Sequence, residues 1–137
     1  MMIVLSNSNA QTLLPGQSAT FNVVVLHTGC GECYRPNSGV VNLAGKGSIY
    51  EISFGGNVGT ETAGDAAQLA IALDNSPLLE TTMISTMAAV GDLNNVSRGT
   101  YVKTCCCNSA NAVTVINTGS TTVNLDANPL LKIKRNA

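Results

Sequence analysis

Charged residues are scarce in this chain: Asp, Glu, Lys and Arg make up 11% of its 137 residues, against roughly 25% in an ordinary soluble domain. Its polar surface must therefore come mainly from Asn, Ser, Thr and Gly. The formal net charge is −1 and the one basic cluster is Lys132, Lys134 and Arg135, so we expect no nucleic-acid partner, which would need more extensive positive charge. A surface so poor in charge is typical of a protein that buries much of it against copies of itself.

Aromatic residues and long apolar segments are also scarce. The chain has no Trp, three Tyr and two Phe, so Val, Leu, Ile and Ala must build the core. Apolar runs are no longer than residues 69–73, far short of the ~20 residues of a membrane-spanning helix, and no membrane partner is expected. The apolar start of the chain is too short for a signal peptide, so we expect synthesis and retention in the cytoplasm.

Alternation of apolar and polar residues with a period of two predicts several short strands. Tyr50, Ile52 and Phe54 should share a buried face, and residues 19–26 should form a strand with one apolar face. Residues 54–57 contain two glycines and an asparagine, which predict a turn. Residues 65–68 resemble a helix cap, but the alternation that follows them favours a strand.

Nothing in the sequence indicates catalysis. The chain has a single histidine, His27, and no Gly-x-Ser-x-Gly motif, so a Ser-His-Asp arrangement is not expected. Gly45, Lys46 and Gly47 lack the spacing of a phosphate-binding loop. The acidic residues are scattered, with no spacing that indicates acid–base chemistry or a calcium loop. We predict no catalytic residues, no cofactor and no enzymatic activity.

Five cysteines are the unusual feature of the composition. His27, Cys30 and Cys33 have a spacing that, with Cys105, would supply four ligands to a tetrahedral zinc ion. A disulfide would require an oxidising compartment, and unpaired thiols are the third alternative. We expect that zinc is not needed for folding, because a chain of this length can bury a sufficient core without it.

Five stretches of the chain, residues 14–25, 47–54, 68–77, 113–119 and 128–135, resemble a known family. They are similar to the small bacterial and phage jelly rolls of the tumour-necrosis-factor and complement-globular-head type, which include the C-terminal domains of collagen-like exosporium glycoproteins. The resemblance implies an all-β jelly-roll sandwich of about eight to ten antiparallel strands. It also implies a homotrimer that serves in display or binding.

Two functions follow as expectations. The first is a structural protein of a phage virion, a trimeric capsid decoration or head-fibre protein that assembles in the host cytoplasm. Residues 11–137 would form its jelly roll, and residues 1–10 an attachment arm for the major capsid protein or another virion protein. The arm's apolar residues are Met1, Met2, Ile3, Val4 and Leu5. The alternative is a glycan- or surface-binding module of a bacterial cell or spore surface, with a host-surface glycan as its partner.

Overall fold

A computed structural model describes residues 2–29, 37–43, 47–104 and 111–136 of the chain. The described residues form strands and one 3-10 turn, Leu79–Thr81. The strands are β1 (Met2–Ser6), β2 (Gln11–Leu13), β3 (Val23–Thr28), β4 (Val41–Leu43), β5 (Ile49–Thr60), β6 (Ala66–Leu73), β7 (Ser76–Pro77), β8 (Met83–Thr86), β9 (Asn94–Lys103), β10 (Asn111–Asn117), β11 (Val123–Leu125) and β12 (Leu130–Arg135). In the described part of the chain, no helix is long and apolar enough to cross a membrane.

The larger sheet, sheet A, is organised around the long strand β5. On one side β5 pairs with β9 along ten residues, from Ile49 opposite Lys103 to Val58 opposite Asn94. On its other side β5 pairs first with β12 and then with β11. Beyond β12 lie β1 and the outermost strand β3, and beyond β11 lies β2. All these pairings are antiparallel, as the jelly roll predicted from the sequence requires.

The smaller sheet, sheet B, has β10 and β6 at its centre. β4 pairs with β10 on one side, and β8 and β7 pair with successive parts of β6 on the other. The pairing leaves a gap on β6 at Ile71, between the ends of β8 and β7. Residues of the 3-10 turn fill it, because the Thr81 hydroxyl accepts a hydrogen bond from the Ile71 amide at 2.9 Å.

The core lies between the two sheets, and most of it follows the predicted alternation. Tyr50, Ile52 and Phe54 are buried on the inner face of β5, as predicted. Residues 66–73 form β6 and not a helix, also as predicted. Alternate residues of β1, β6, β10 and β12 complete the core, including Ile3, Leu5, Leu69, Ile71, Val113, Val115, Leu131 and Ile133.

The prediction of an N-terminal attachment arm is wrong. Met2–Ser6 is β1, which lies inside sheet A with β12 on one side and β3 on the other. Ile3 and Leu5 are completely buried. Ile3 and Leu5, two of the apolar residues assigned to attachment, are therefore core residues, because a strand with neighbours on both sides directs alternate side chains into the core. A domain boundary after residue 10 does not describe this chain, and Met1 lies outside the described residues.

The prediction for residues 19–26 is also wrong in part. Phe21 is buried and forms an isolated bridge with Ser38, but the strand begins only at Val23. Every residue of β3 is exposed, Val25 by 58%. The reason is position: β3 is the outermost strand beside β1, and its register shifts between Val4 and Leu5 of β1. A strand at the edge of a sheet can lie largely outside the core even when its residues are apolar.

The turn predicted at residues 54–57 does not form. Gly55 and Gly56 lie inside β5, which continues unbroken from Ile49 to Thr60. A Cβ at Gly56 would approach Leu125 Cδ1 to 3.0 Å and Pro129 Cβ to 3.3 Å. The glycine therefore permits close packing against the segments around β11 and β12, a use of glycine inside strands that sequence reasoning mistakes for a turn signal.

Candidate functional site

The outer face of sheet A is the side directed away from the core. It consists of the alternate residues of each strand that do not point toward sheet B. On β9 these include Asn95, Ser97, Gly99, Tyr101 and Lys103, which lie opposite Asn57, Gly55, Ser53, Glu51 and Ile49 of β5. On β12 they are Leu130, Lys132 and Lys134. The strand order of sheet A therefore brings together residues from three distant parts of the sequence.

The end of this face near Ile49 carries exposed apolar side chains. Tyr101 is 64% exposed and Ile49 is 37% exposed. Tyr101 lies directly opposite Glu51 on β5. A tyrosine on an exposed sheet face presents a large apolar surface to water. Tyr is enriched at protein interfaces, where such a surface is buried.

At the other end of the outer face, around Gly55 and Ser97, the surface forms a depression of about 550 Å³. It forms where glycines face small residues across the β5–β9 ladder: Gly55 lies opposite Ser97, and Gly99 lies opposite Ser53. A Cβ at Gly99 would approach Ser53 Cβ to 3.3 Å. The depression exists because each of these cross-strand pairs lacks one side chain.

Asparagine side chains surround this depression. Asn57, Asn95 and Asn128 all line it and are all exposed. Asn95 Nδ2 donates a hydrogen bond to Asn57 Oδ1 at 3.2 Å. This bond holds the two amides side by side and leaves the Asn57 amide nitrogen and the Asn95 amide oxygen available to an external group.

A second depression of about 300 Å³ lies between β9 and β8. It shares Asn95, Ser97 and Arg98 with the first, so the two depressions meet along β9. We call the pair the polar groove. Among the described residues β9 pairs with β5 alone, and the polar groove therefore crosses the free edge of sheet A.

Arg98 is the one charged residue that lines the polar groove. Its side chain is exposed and has no hydrogen bond or ion pair with another described residue. No acidic residue lines either depression. Arg98 lies opposite the buried Phe54 in the β5–β9 register, so its Cβ is on the other face of β9 from Asn95 and Ser97. The polar groove thus has three amides and two serine hydroxyls on the outer face, and one cation at the edge strand.

The zinc ligands considered from the sequence lie mostly outside the described residues. His27 is an exposed residue on β3, with its Cα opposite that of Ile3. Cys30, Cys33 and Cys105 fall outside the described residues, as do the two other cysteines. Within the described ranges no group of three or more His, Cys, Asp and Glu side chains is placed to hold a metal ion.

Sequence reasoning did not identify the polar groove. Gly55 and Gly56 suit a turn as well as a strand, and Arg98 and Gly99 belong to no motif that the sequence shows. The available signal was a polar, glycine-containing segment on each of two long strands, since glycine inside a strand marks a close approach or a depression. The pairing of β5 with β9 could not be read from the sequence.

Comparison with solved structures relates this architecture to three jelly rolls. The Eiger TNF structure from S. frugiperda superposes with a TM-score of 0.69 at 11% identity, covering 100% of this chain and 92% of that one. Murine APRIL gives a TM-score of 0.64 at 13% identity, with 97% of both chains covered. The globular domain of zebrafish complement 1qA protein gives 0.61 at 11% identity, with 98% of both covered.

These similarities establish the fold: the chain is a jelly-roll sandwich of the TNF and complement-1q globular-domain type. At sequence identities of 11–13%, the similarity shows a shared fold and does not show a shared function. No protein-family model and no curated protein matches the sequence.

Proposed function

We propose that this protein is a non-enzymatic structural protein that forms a homotrimer through the Tyr101 end of the outer face of sheet A. We further propose that it is a component of a phage virion, as a capsid decoration or head-fibre protein. The single observation that carries the trimer is the exposed Tyr101 on a sheet face of a chain that is poor in charge.

The energetics favour burial of this end of the face. Tyr101 and Ile49 expose apolar area in the isolated chain, and each square ångström removed from water contributes roughly 25 cal/mol. The neighbouring charges are Glu51, Lys103 and Lys134. Both signs are present, so copies related by rotation can pair opposite charges across the interface. A threefold arrangement is the one implied by the family resemblance.

The trimer is tested by the mass of the native protein. Sedimentation equilibrium at micromolar concentration should give three times the 14.1 kDa chain mass. Tyr101→Arg should shift the protein toward monomer, because it places a charge in the buried interface. Leu14→Arg is the matched control: Leu14 is a similarly exposed apolar residue, 54%, in the turn after β2. A monomeric wild-type protein, or dissociation by Leu14→Arg alone, would refute the proposed interface.

The virion assignment is supported by the jelly-roll fold, by a composition suited to symmetric burial and by the resemblance to phage jelly rolls. Its test is mass spectrometry of phage particles purified from the source strain. The chain should be present in a fixed ratio to the major capsid protein. If the protein is absent from phage particles and is found instead on cells or spores, the virion assignment is wrong and the alternative of a surface-binding module replaces it.

A further inference from the structure

One end of the sandwich is built from four short loops, which we call the loop end. They are residues 14–17 after β2, 61–65 between β5 and β6, 87–93 between β8 and β9, and 118–122 between β10 and β11. Three of the strands that carry these loops stop in one row, because Leu13 lies opposite Val123 and Val123 lies opposite Thr60. The loops therefore project together beyond the sheets.

Backbone hydrogen bonds fix the loops in place. The Gly64 amide donates to the Met87 carbonyl at 2.8 Å, and the Met87 amide donates to the Asp65 carbonyl at 3.0 Å. The Gly16 amide donates to the carbonyl of Asn117, the last residue of β10, at 2.8 Å. The loop end thus has a defined shape in the single chain, and a partner would bind it with little cost for ordering it.

Apolar side chains are exposed on both flanks of the loop end. Leu14 is 54% exposed, Val90 is 65% exposed and Leu93 is 49% exposed. A Cβ at Gly59 would meet Leu93 Cδ2 at 3.4 Å, so Leu93 lies against the end of β5, about 10 Å or two strand spacings from the end of β2. Further exposed apolar residues of the same loops are Pro15, Ala63, Ala88 and Ala89. Exposed apolar residues grouped in this way and bordered by polar ones mark an interaction surface.

Every charged residue of the four loops is negative. Glu61, Asp65 and Asp92 are acidic, and the loops contain no Lys, Arg or His. None of the three carboxylates has an ion pair or a hydrogen bond with another described residue. Lys103 and Lys134 lie far away, beside the start of β5. Like charges repel across an interface, so the loop end disfavours the loop end of a second copy and favours a partner with positive charge.

From this arrangement we infer that the loop end is a docking surface for a different protein, one that presents lysine or arginine side chains around an apolar patch. Leu14, Val90 and Leu93 pack on the apolar patch, and the three carboxylates pair with the surrounding cations. An apolar centre with a polar rim is the usual composition of a protein interface. The inference concerns each single chain and depends neither on the homotrimer nor on the virion assignment.

The loop end is well separated from the proposed trimer interface. β5 runs from Ile49, beside Tyr101, to Thr60 at the loop end. These eleven residues correspond to about 36 Å along the strand. Both surfaces can therefore be covered at the same time. A trimer would present three loop ends, and binding through more than one of them would raise the overall affinity.

The test is an NMR titration of the native protein with the peptide acetyl-Leu-Lys-Leu-Lys-amide, which carries the apolar and cationic groups inferred for the partner. Its charge-reversed counterpart is acetyl-Leu-Glu-Leu-Glu-amide. The lysine peptide should shift the methyl signals of Leu14, Val90 and Leu93, and the glutamate peptide should not. About 0.5 M sodium chloride should weaken binding of the lysine peptide, because salt screens exposed charges.

Glu61→Lys should weaken binding of the lysine peptide about fivefold, the loss expected when exposed ion pairs are removed. Glu80→Lys is the matched control, since Glu80 is also exposed and lies in the 3-10 turn, which contacts β6 at Ile71 through Thr81. That contact is about 16 Å along β6 from the loop end. Glu80→Lys should leave binding of the lysine peptide unchanged.

Three results would overturn the inference. The first is absence of the methyl shifts up to the solubility limit of the lysine peptide, and the second is equal affinity of the wild type and Glu61→Lys for that peptide. The third is dissociation of the native assembly by Val90→Arg in sedimentation equilibrium, because the loop end would then be an interface between copies. A monomeric wild-type protein would refute the proposed trimer alone, since the titration reads each chain separately.

Discussion

Asn117 joins the two sheets through a hydrogen bond to Leu13: its Nδ2 atom donates to the Leu13 carbonyl oxygen at 2.9 Å. Asn117 ends β10 of sheet B, and Leu13 ends β2 of sheet A. The same Nδ2 donates to the Thr121 carbonyl at 2.8 Å, and Oδ1 accepts from the Gly119 amide at 3.0 Å. The Asn117 side chain is buried; its bond to Leu13 is buried as well, and the other two bonds are partly buried.

Replacing this side chain should be costly. Asn117→Ala leaves the buried Leu13 carbonyl, the Thr121 carbonyl and the Gly119 amide without their side-chain partner. We expect it to lower the free energy of unfolding by about 2–4 kcal/mol. Urea unfolding at fixed protein concentration measures the change. Asn124→Ala is the control, because the one hydrogen bond of the Asn124 side chain within the described residues is the exposed bond from Thr12, and it should cost less than about 0.5 kcal/mol. Equal losses in the two variants would contradict this role of Asn117.

The burial of β1 makes a second prediction. Ile3→Ala should lower the free energy of unfolding by about 2–5 kcal/mol, because it removes a fully buried side chain and leaves a cavity. Val25→Ala on the neighbouring strand β3 should cost less than about 1 kcal/mol, since Val25 is exposed. Both values come from urea melts of otherwise identical protein. If Ile3→Ala lowered the free energy of unfolding by less than about 1 kcal/mol, the N-terminal residues would act as a free arm and not as a core strand.

Two buried threonines, Thr114 in β10 and Thr81 in the 3-10 turn, should respond in opposite directions to the same substitution. Thr114 Oγ1 is buried without a hydrogen-bond partner among the described residues, so Thr114→Val should raise the free energy of unfolding by about 1 kcal/mol. Thr81 Oγ1 accepts from the Ile71 amide and donates to the Leu78 carbonyl. Thr81→Val should therefore lower stability by about 1–3 kcal/mol. Thermal melts of the two variants measure these changes in stability. A change of the same sign in both variants would contradict the prediction.

Gly39 should tolerate no side chain. A Cβ there would overlap the carbonyl oxygen of Ala19, a backbone atom that cannot move aside by itself. We expect Gly39→Ala to lower the free energy of unfolding by at least about 2 kcal/mol. Gly55→Ala is the comparison, because its Cβ would meet its nearest neighbour, Ser97 Cβ, at 3.4 Å, and it should change stability by less than about 1 kcal/mol. Circular dichroism during urea unfolding provides both values.

The sequence predicted those strands in which large apolar residues alternate with polar or small residues. Tyr50, Ile52 and Phe54 have polar or small residues between them, so their shared face could be assigned without knowing the neighbouring strands. The same argument correctly favoured a strand over a helix at β6, although alanine is common there. In both cases the local pattern and the tertiary environment agree.

Sequence reasoning failed where the position of a strand in its sheet decided the outcome. Apolar residues near the N terminus and in β3 look alike in sequence, yet Ile3 is buried between two strands and Val25 is exposed at the edge. The polar groove was missed for a related reason. It depends on Gly55 facing Ser97, and that register is set by pairing between distant segments.

The pairing of β1 with β12 has a consequence for folding kinetics. These strands come from opposite ends of the sequence, yet Ile3 lies opposite Ile133 inside sheet A. The conformational entropy of closing so long a loop must be lost before this pairing contributes any stability. We therefore expect slow folding, in which β1 can pair with β3 early but can pair with β12 only after β12 has left the ribosome.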